Sequence, residues 1–314
     1  MQLEISPTDF ATYPISAVTH TGLRYYSDML NDIVKWTAAF ILNCPTPQER
    51  ATKIEFFVIL AQENLRLQSF HLAIGIVMGL QSTSLKRLSQ SWALISPQIK
   101  EQLDEINSFF SPIGNFSKYR QAVEGEAKKP IAVYFGVLMR DLVYLHDSSP
   151  NYVGKDKKLV NLYKMRNVYS NIDKWYLSKI GVDYRHVTAV KKFQSYFATI
   201  YNCDQIITEN YLLFVSAKLE PSAKSKKYAA PNKPELERAI EKCATFLPNF
   251  ETSPLNTEVT SKKSRVSKGL SQKDMRPLVK PILAKQNTPG NSPTLSSSQT
   301  SFPPSNTSSS PLPV

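Results

Sequence analysis

Glycine, cysteine and long apolar runs are all scarce in this 314-residue sequence. Its 10 glycines argue against a turn-rich all-β fold. The three cysteines, Cys44, Cys203 and Cys243, show no paired spacing, so we expect reduced thiols that act as small apolar residues. No apolar run approaches the roughly 20 residues that span a bilayer. We therefore expect a soluble protein of the reducing cytoplasm.

Targeting signals are also lacking at both ends of the sequence. The first seven residues contain no basic stretch followed by an apolar run, so we expect no signal peptide. The sequence ends in Pro-Leu-Pro-Val, which is not a prenylation box. Any attachment to a membrane would therefore be borrowed from a partner or electrostatic.

Signatures of metal, nucleotide and hydrolytic sites are missing as well. The four histidines are scattered, with no cysteine or second histidine at ligand spacing, so we expect no metal site. No glycine-rich phosphate loop occurs, and we expect no bound nucleotide or other cofactor. No Ser/His/Asp or Cys/His grouping stands out, although spacing alone does not exclude one.

The positive charge is concentrated in the C-terminal third of the chain. The whole chain carries a net charge of +12, and residues 221–314 hold 14 Lys/Arg against 6 Asp/Glu, a net charge of +8. A basic cluster at 262–268 is typical of a solvated linker, an anionic-membrane patch or a nucleic-acid contact. No aromatic residue interleaves the cluster, so we expect no nucleic-acid binding. Residues 251–314 are rich in Ser, Thr, Pro and Asn, which predicts a disordered basic tail.

Apolar residues before Pro221 recur at helical spacing and predict an all-α fold. The helix starting at Thr46 has a capping-box pattern that ends at Glu49. Gly75 and Gly79 lie four residues apart, where missing side chains would let another helix come close. The predicted helices are 23–42, 46–67, 69–80, 84–94, 96–110, 116–123, 130–146, 159–175, 185–201 and 203–219. Residues 222–250 read as a linker that could hold a short helix at 235–246.

Residues 130–175 predict a helical hairpin. Its first arm would begin with Pro130 in the first helical turn and end near Pro150. Its second arm repeats apolar residues at helical spacing, with Lys164 and three other basic residues off the stripe. That buried stripe is predicted to contain Leu159, Leu162, Tyr163, Val168, Ile172 and Trp175. Such an arm can bury one face and present the other.

Several motifs of this hairpin resemble a known family. Residues 130–142 read Pro-Ile-x-x-Tyr-Phe-Gly-Val-x-x-x-Asp-Leu, an acidic residue precedes Ser-Ser-Pro-Asn at 148–151, and residues 159–166 read Leu-Val-Asn-x-x-Lys-x-Arg. These resemble the catalytic hairpin of Ras-type guanine-nucleotide exchange factors of the Son-of-sevenless class. Segments 31–41, 69–92, 115–120 and 209–221 resemble further motifs of that family in the same order. The resemblance implies an exchange domain over residues 1–221.

The resemblance also implies a function and a set of site residues. The implied activity is acceleration of GDP release from a Ras-family small GTPase of the Ras, Rap or Ral branch, without bond chemistry. Val143 stands where the family places a side chain that intrudes on the GTPase's Mg²⁺ site, and Asp147 where a carboxylate intrudes on its phosphate site. The implied GTPase-binding residues are Ile74, Gln81, Phe116, Tyr119, Tyr134, Phe135, Arg140 and Lys164.

The chain departs from the family pattern at several of these positions. His71 and Gln81 stand where family members usually carry Asn, and Ser148-Ser149-Pro150 replaces a Gly-Asn-Pro type of turn. Taken singly, Val143 is more typical of a helical core or a plain apolar surface than of a catalytic site, and the aromatic residues are the kind usually found in a core. An alternative reading is therefore a GTPase-binding scaffold with little or no exchange activity. A third is a basic membrane or nucleic-acid adaptor.

Overall fold

The chain is helical in a computed structural model that describes residues 21–125, 131–179, 190–222, 228–249 and 254–256. Within these residues the only strands form one short ribbon, so the predicted all-α class is confirmed. Three sequence-based interpretations lie wholly or largely outside the described residues. They concern Pro130, the helix start near 185 and the tail beyond 251.

Three long helices form the centre of the molecule: α1 (Thr21–Leu42), α2 (Pro47–Arg66) and α3 (Phe70–Leu80). The predicted capping box starts α2, since the Thr46 hydroxyl accepts the Glu49 N–H at 3.2 Å and the Glu49 carboxylate accepts the Thr46 N–H at 3.3 Å. The two glycines of α3 face α1 as predicted. A Cβ atom on Gly79 would lie 2.7 Å from the Cβ of Thr37, so only glycine allows this approach.

The predicted helix at 84–94 is instead two short helices, α4 (Thr83–Lys86) and α5 (Ser89–Ala93). The chain leaves helical geometry between them, where Leu88 is fully buried. The neighbouring Arg87 guanidinium donates to the Ser216 hydroxyl at 3.1 Å and to the Glu220 carbonyl at 2.8 Å. These tertiary contacts replace the helical continuation. Two helices follow, α6 (Pro97–Phe109) and α7 (Ser117–Gly125).

The predicted hairpin is present, with a small β-ribbon between its arms. The first arm is α8 (Phe135–Ser148) and the second is α9 (Leu162–Lys179). Between them, β1 (Tyr152–Val153) pairs antiparallel with β2 (Leu159–Val160), whereas the sequence analysis predicted no strand there. Leu159 therefore begins a strand rather than the predicted helical stripe.

The remaining described helices are α10 (Lys191–Ile200), α11 (Cys203–Ile206), α12 (Glu209–Leu219) and α13 (Lys233–Phe246). The predicted helix 203–219 is divided at Thr208, whose hydroxyl accepts the Tyr211 N–H and so starts α12. The short helix predicted at 235–246 corresponds to α13. It packs on α10 and α11 and buries Ala239, Cys243 and Phe246.

A buried ion pair joins the start of α2 to the end of α12. The Arg50 guanidinium lies 3.0 Å from the Glu220 carboxylate, and both side chains are almost fully buried. Burial by itself would raise the pKa of Glu220, but hydrogen bonds from the Ser91 hydroxyl, the Gln90 and Ser91 N–H groups and Arg50 hold it below its ordinary value. The pair fastens segments that are 170 residues apart.

The described residues contain neither a membrane-spanning helix nor a cluster of metal-binding side chains. None of their helices is long and apolar enough to cross a membrane. Nor do three or more His, Cys, Asp or Glu side chains of this part of the chain come together in a way that could hold a metal ion.

Candidate functional site

The hairpin is attached to the helical centre through a short non-helical segment, residues 131–134. The Ala132 N–H donates to the Gln68 carbonyl at 3.0 Å, and the Ala132 carbonyl accepts the His71 N–H at 3.1 Å. The first arm therefore begins at Phe135, and the prediction that residues 131–134 belong to its first helical turn is wrong. The reason is that these backbone groups pair with Gln68, just before α3, and with His71, in its first turn, and are not free to form helical bonds.

An aromatic cluster holds the first residue of the hairpin against α1 and α3. The Phe135 ring stacks on Tyr26, with centroids 4.7 Å apart, and the His71 ring packs edge-on against both. The Nε2 atom of His71 lies 3.2 Å from the Tyr26 carbonyl. Burial lowers the pKa of His71 to about 4, so the imidazole is neutral at pH 7.

Helix α7 contacts the other side of the hairpin root, which is the non-helical segment 131–134. The Tyr134 N–H donates to the Tyr119 hydroxyl at 2.9 Å, and burial raises the pKa of Tyr119, which keeps that hydroxyl protonated. The next residue, Arg120, places one guanidinium nitrogen 2.6 and 2.8 Å from the two carboxylate oxygens of Asp141. Because Asp141 is on α8, this ion pair locks the helix in position. Neither residue was among the predicted site residues, although both belong to the motifs quoted above.

Four predicted site residues come together beside this root. Tyr119 and Tyr134 pack edge to face, with ring centroids 6.4 Å apart. The Arg140 guanidinium lies 4.8 Å from the Phe116 ring centroid, in cation–π geometry. Phe116 and Tyr134 are half-buried and Arg140 is exposed, whereas Tyr119 is buried. Phe135 is also buried and faces α1 instead.

The two predicted residues on α3 differ in exposure. Ile74 is almost fully buried, and Gln81, one residue beyond the helix, is exposed and donates a hydrogen bond to the Asn107 side chain. Seven residues separate them, so they share one side of α3 about two turns apart.

An exposed stripe runs along α8 towards the tip of the hairpin. Arg140, Val143 and Asp147 are spaced by three and four residues, which places them on one helix face. Val143 is half-buried, and the Asp147 side chain is 69% exposed. The Nδ1 atom of His146 lies 3.1 Å from the Asp147 carboxylate. The two residues singled out as catalytic thus stand together, one turn apart, with the carboxylate outermost.

Lys164 is buried between the two arms, which corrects the prediction that it lies off the buried stripe of α9. Its ammonium donates to the His146 carbonyl at 3.1 Å and to the Ser149 carbonyl at 2.6 Å. The last carbonyls of a helix have no partner within the helix, and a lysine here satisfies them. Leu162 and Tyr163, predicted to be buried, are instead strongly exposed.

The hairpin carries many exposed apolar side chains, which do not contribute to the packing between its two arms. A group of exposed apolar side chains is typical of a surface that binds another protein, a membrane or a ligand. The exposed members are Tyr144, Tyr152, Val153, Leu159, Val160, Leu162, Tyr163, Met165 and Tyr169. The sequence reasoning missed the ribbon residues, which two β-prone dipeptides on either side of a glycine-containing turn could have indicated.

These features define a class: a helical domain that presents a firmly anchored helical hairpin with exposed apolar side chains. Residues 2–166 match the family model for the RasGEF domain, and this match covers just over half of the chain. The chain therefore belongs to the RasGEF domain family.

Named relatives agree with this assignment. Ras guanyl-releasing protein 2-B of Xenopus laevis is 27% identical over 225 residues, which are 71% of this chain and 37% of that protein. Human Ras guanyl-releasing protein 3 is 30% identical over 166 residues, 52% of this chain and 24% of that protein. A Rap guanine nucleotide exchange factor of Caenorhabditis elegans is 30% identical over 172 residues, 54% of this chain and 12% of that protein. The chain thus spans little more than a third of the first relative and less of the other two.

Proposed function

We propose that this protein is a guanine-nucleotide exchange factor for a Ras-family small GTPase, and that its hairpin displaces the switch regions of that GTPase. The observation that carries the proposal is the pair Val143 and Asp147, the first half-buried and the second exposed, presented one turn apart at the outer end of an anchored helix. Membership in the RasGEF family and relatives named as Ras and Rap exchange factors support the choice of partner.

The mechanism is a thermodynamic linkage rather than bond chemistry. A factor that binds the nucleotide-free GTPase more tightly than the loaded form must weaken nucleotide binding by the same ratio. Each tenfold gain in release requires about 1.4 kcal/mol of such differential binding. A broad apolar contact, together with groups that oppose Mg²⁺ and phosphate, can supply several such decades.

Val143 and Asp147 have the chemistry for that opposition. Mg²⁺ takes oxygen ligands, and an apolar Val143 side chain beside it would offer none. The Asp147 carboxylate would repel the phosphates and would accept hydrogen bonds from the donors that had held them. Because Asp147 is exposed, it could reach a partner without first breaking contacts with the helical core.

The other predicted site residues divide into two roles in this proposal. Phe116, Tyr134, Gln81 and Arg140 have enough free surface to contact the GTPase directly. Ile74, Tyr119 and Phe135 are buried and would shape that surface from beneath. Lys164 would position the turn after Asp147, through its bonds to the carbonyls at the end of α8.

Release of labelled GDP tests the proposal. The full chain should accelerate release from at least one member of a panel of Ras, Rap, Ral and Rho-type GTPases. The double variant Val143→Ala/Asp147→Ala should lose that acceleration and still fold. Glu101→Ala, an exposed carboxylate on α6, is the matched control and should behave as the unchanged protein. Acceleration that survives the double substitution would refute the assigned roles.

The alternative is a GTPase-binding scaffold with little exchange activity, and the departures at His71 and Gln81 keep it open. The Gln81 side-chain amide already donates a hydrogen bond to the Asn107 side chain, so it is partly engaged before any partner binds. Tight binding to nucleotide-free GTPase without faster GDP release would favour this alternative.

We also propose that the protein is cytoplasmic and that the basic cluster at 262–268 can draw it to anionic membranes. The net charge of +8 in residues 221–314 supports this. The full chain should sediment with phosphatidylserine vesicles but not with neutral vesicles, and it should not bind nucleic acid.

A further inference from the structure

The β-ribbon at the tip of the hairpin exposes apolar side chains on both of its faces. Tyr152 lies opposite Val160 and Val153 opposite Leu159, and all four are exposed, Leu159 by 65%. A two-stranded ribbon is at best marginally stable alone in water. A ribbon of two-residue strands with this composition therefore has more apolar surface than its own pairing can cover.

The turn of the ribbon adds a basic rim. Residues 154–158 read Gly-Lys-Asp-Lys-Lys, with three lysines and one aspartate, all of them exposed. Asp156 forms an ion pair with Lys158 at 3.5 Å, so the excess of two positive charges is carried by the remaining lysines. The surface presented is thus apolar in the middle and positive at the edge.

Hydrogen bonds at the base of the ribbon fix it to the hairpin. The Asn161 side chain donates to the Pro150 carbonyl at 2.9 Å, and its N–H donates to the Asn151 carbonyl at 2.9 Å. Its side-chain oxygen accepts the Lys164 N–H at 3.1 Å, which links the base of the ribbon to the start of α9. The ribbon therefore moves with the hairpin.

We propose that this ribbon is a second GTPase-binding contact, which seats on an apolar strip rimmed by acidic side chains and helps to select which GTPase is bound. The inference rests on the proposed function. Five peptide steps separate Asp147 from Tyr152, a span of at most about 18 Å. A domain of about 150 residues has a radius of gyration of about 15 Å. With Asp147 at the nucleotide site, the ribbon is therefore within reach of the body of the GTPase.

This continuity with the proposed interface favours a GTPase over a membrane as the occupant. Charge complementarity then sets the chemistry of the partner surface, since lysines select acidic neighbours and reject basic ones. Direct contact with lipid instead of GTPase is the competing outcome that the experiment below includes.

The experiment measures binding of the full chain to nucleotide-free GTPases of the panel, together with GDP release. The apolar variant Tyr152→Ser/Leu159→Ser should raise the Kd at least tenfold for the preferred GTPase. The charge variant Lys155→Glu/Lys157→Glu should change the order of preference among GTPases and reverse the weakening of binding by salt. An exposed leucine at the end of α5 supplies the control, Leu94→Ser, which should leave every Kd unchanged.

The outcomes separate this inference from the proposed function. If the unchanged protein releases GDP and both ribbon variants bind as it does, the ribbon contact is refuted and the exchange function stands. If the unchanged protein neither binds nor activates any GTPase, both fail. Loss of phosphatidylserine-vesicle binding with unchanged Kd values would assign the ribbon to lipid and overturn the inference. Should the double serine variant unfold, judged by its helical circular dichroism, the single change Leu159→Ala gives the same readout at an exposed site.

Discussion

Replacing Lys164 by methionine should loosen the tip of the hairpin while leaving the helical core intact. Methionine keeps most of the length and apolar volume of lysine but cannot donate a hydrogen bond. The carbonyls of His146 and Ser149, now bonded at 3.1 and 2.6 Å, would both lose their charged donor inside the hairpin. The perturbation thus removes two bonds and little packing.

The magnitude follows from those two bonds. A hydrogen bond to a charged group contributes about 1.5–3 kcal/mol, and part of this is offset because the buried ammonium also gave up its hydration. We expect the free energy of opening the tip to fall by about 2–4 kcal/mol. The free energy of global unfolding should change by less than about 1 kcal/mol, because α9 packs mainly on α8 and not on the central helices.

Amide hydrogen exchange measures the two effects separately. Protection of the last turn of α8 and of the ribbon should drop by about 30- to 700-fold, which is the expected free energy converted at 1.4 kcal/mol per decade. Protection in α2 and α3 should not change. Arg166→Met, an exposed basic residue on the same arm, is the control. Equal protection in the Lys164 and Arg166 variants would show that the buried ammonium does not hold the tip, and the positioning role would be withdrawn.

Two further predictions concern buried polar groups of the core. Glu220→Gln should lower the free energy of unfolding by about 3 kcal/mol in urea titrations at pH 7, because it leaves the buried Arg50 cation without its counter-charge; a loss below about 1 kcal/mol would contradict this. In the unfolded chain the His71 imidazole takes up a proton below its ordinary pKa of 6.5, whereas in the folded protein it stays neutral down to about pH 4. The contribution of His71 to the free energy of unfolding is therefore greatest above pH 6.5 and falls by about 3 kcal/mol towards pH 4. His71→Asn should remove that part of the loss, and an unchanged pH dependence of the melting temperature would refute the assignment.

Local signals in the sequence predicted much of the helical framework. The capping box at Thr46, the proline starts of α2 and α6 and the apolar spacing of α1 to α3 act within a few residues, so the sequence alone specifies them. Gly79 likewise predicted a close helix contact, because a missing side chain has the same consequence wherever the neighbour comes from. The hairpin also followed from helical spacing, and the family resemblance pointed to the residues of its exposed stripe.

The details of the site required long-range contacts. A lysine at position 164 reads as a solvent-facing charge until the end of α8, 15–18 residues away, brings two carbonyls to it. The root of the hairpin stays non-helical because Ala132 pairs with a segment more than 60 residues earlier.

The sequence by itself thus determined the helical class and most helix positions, since each rests on local periodicity along the chain. Only the tertiary structure decided which of the aromatic residues are free to touch a partner and that Arg50 is neutralised by Glu220. Burial and pairing depend on which distant segments meet, and one-dimensional spacing carries little information about that.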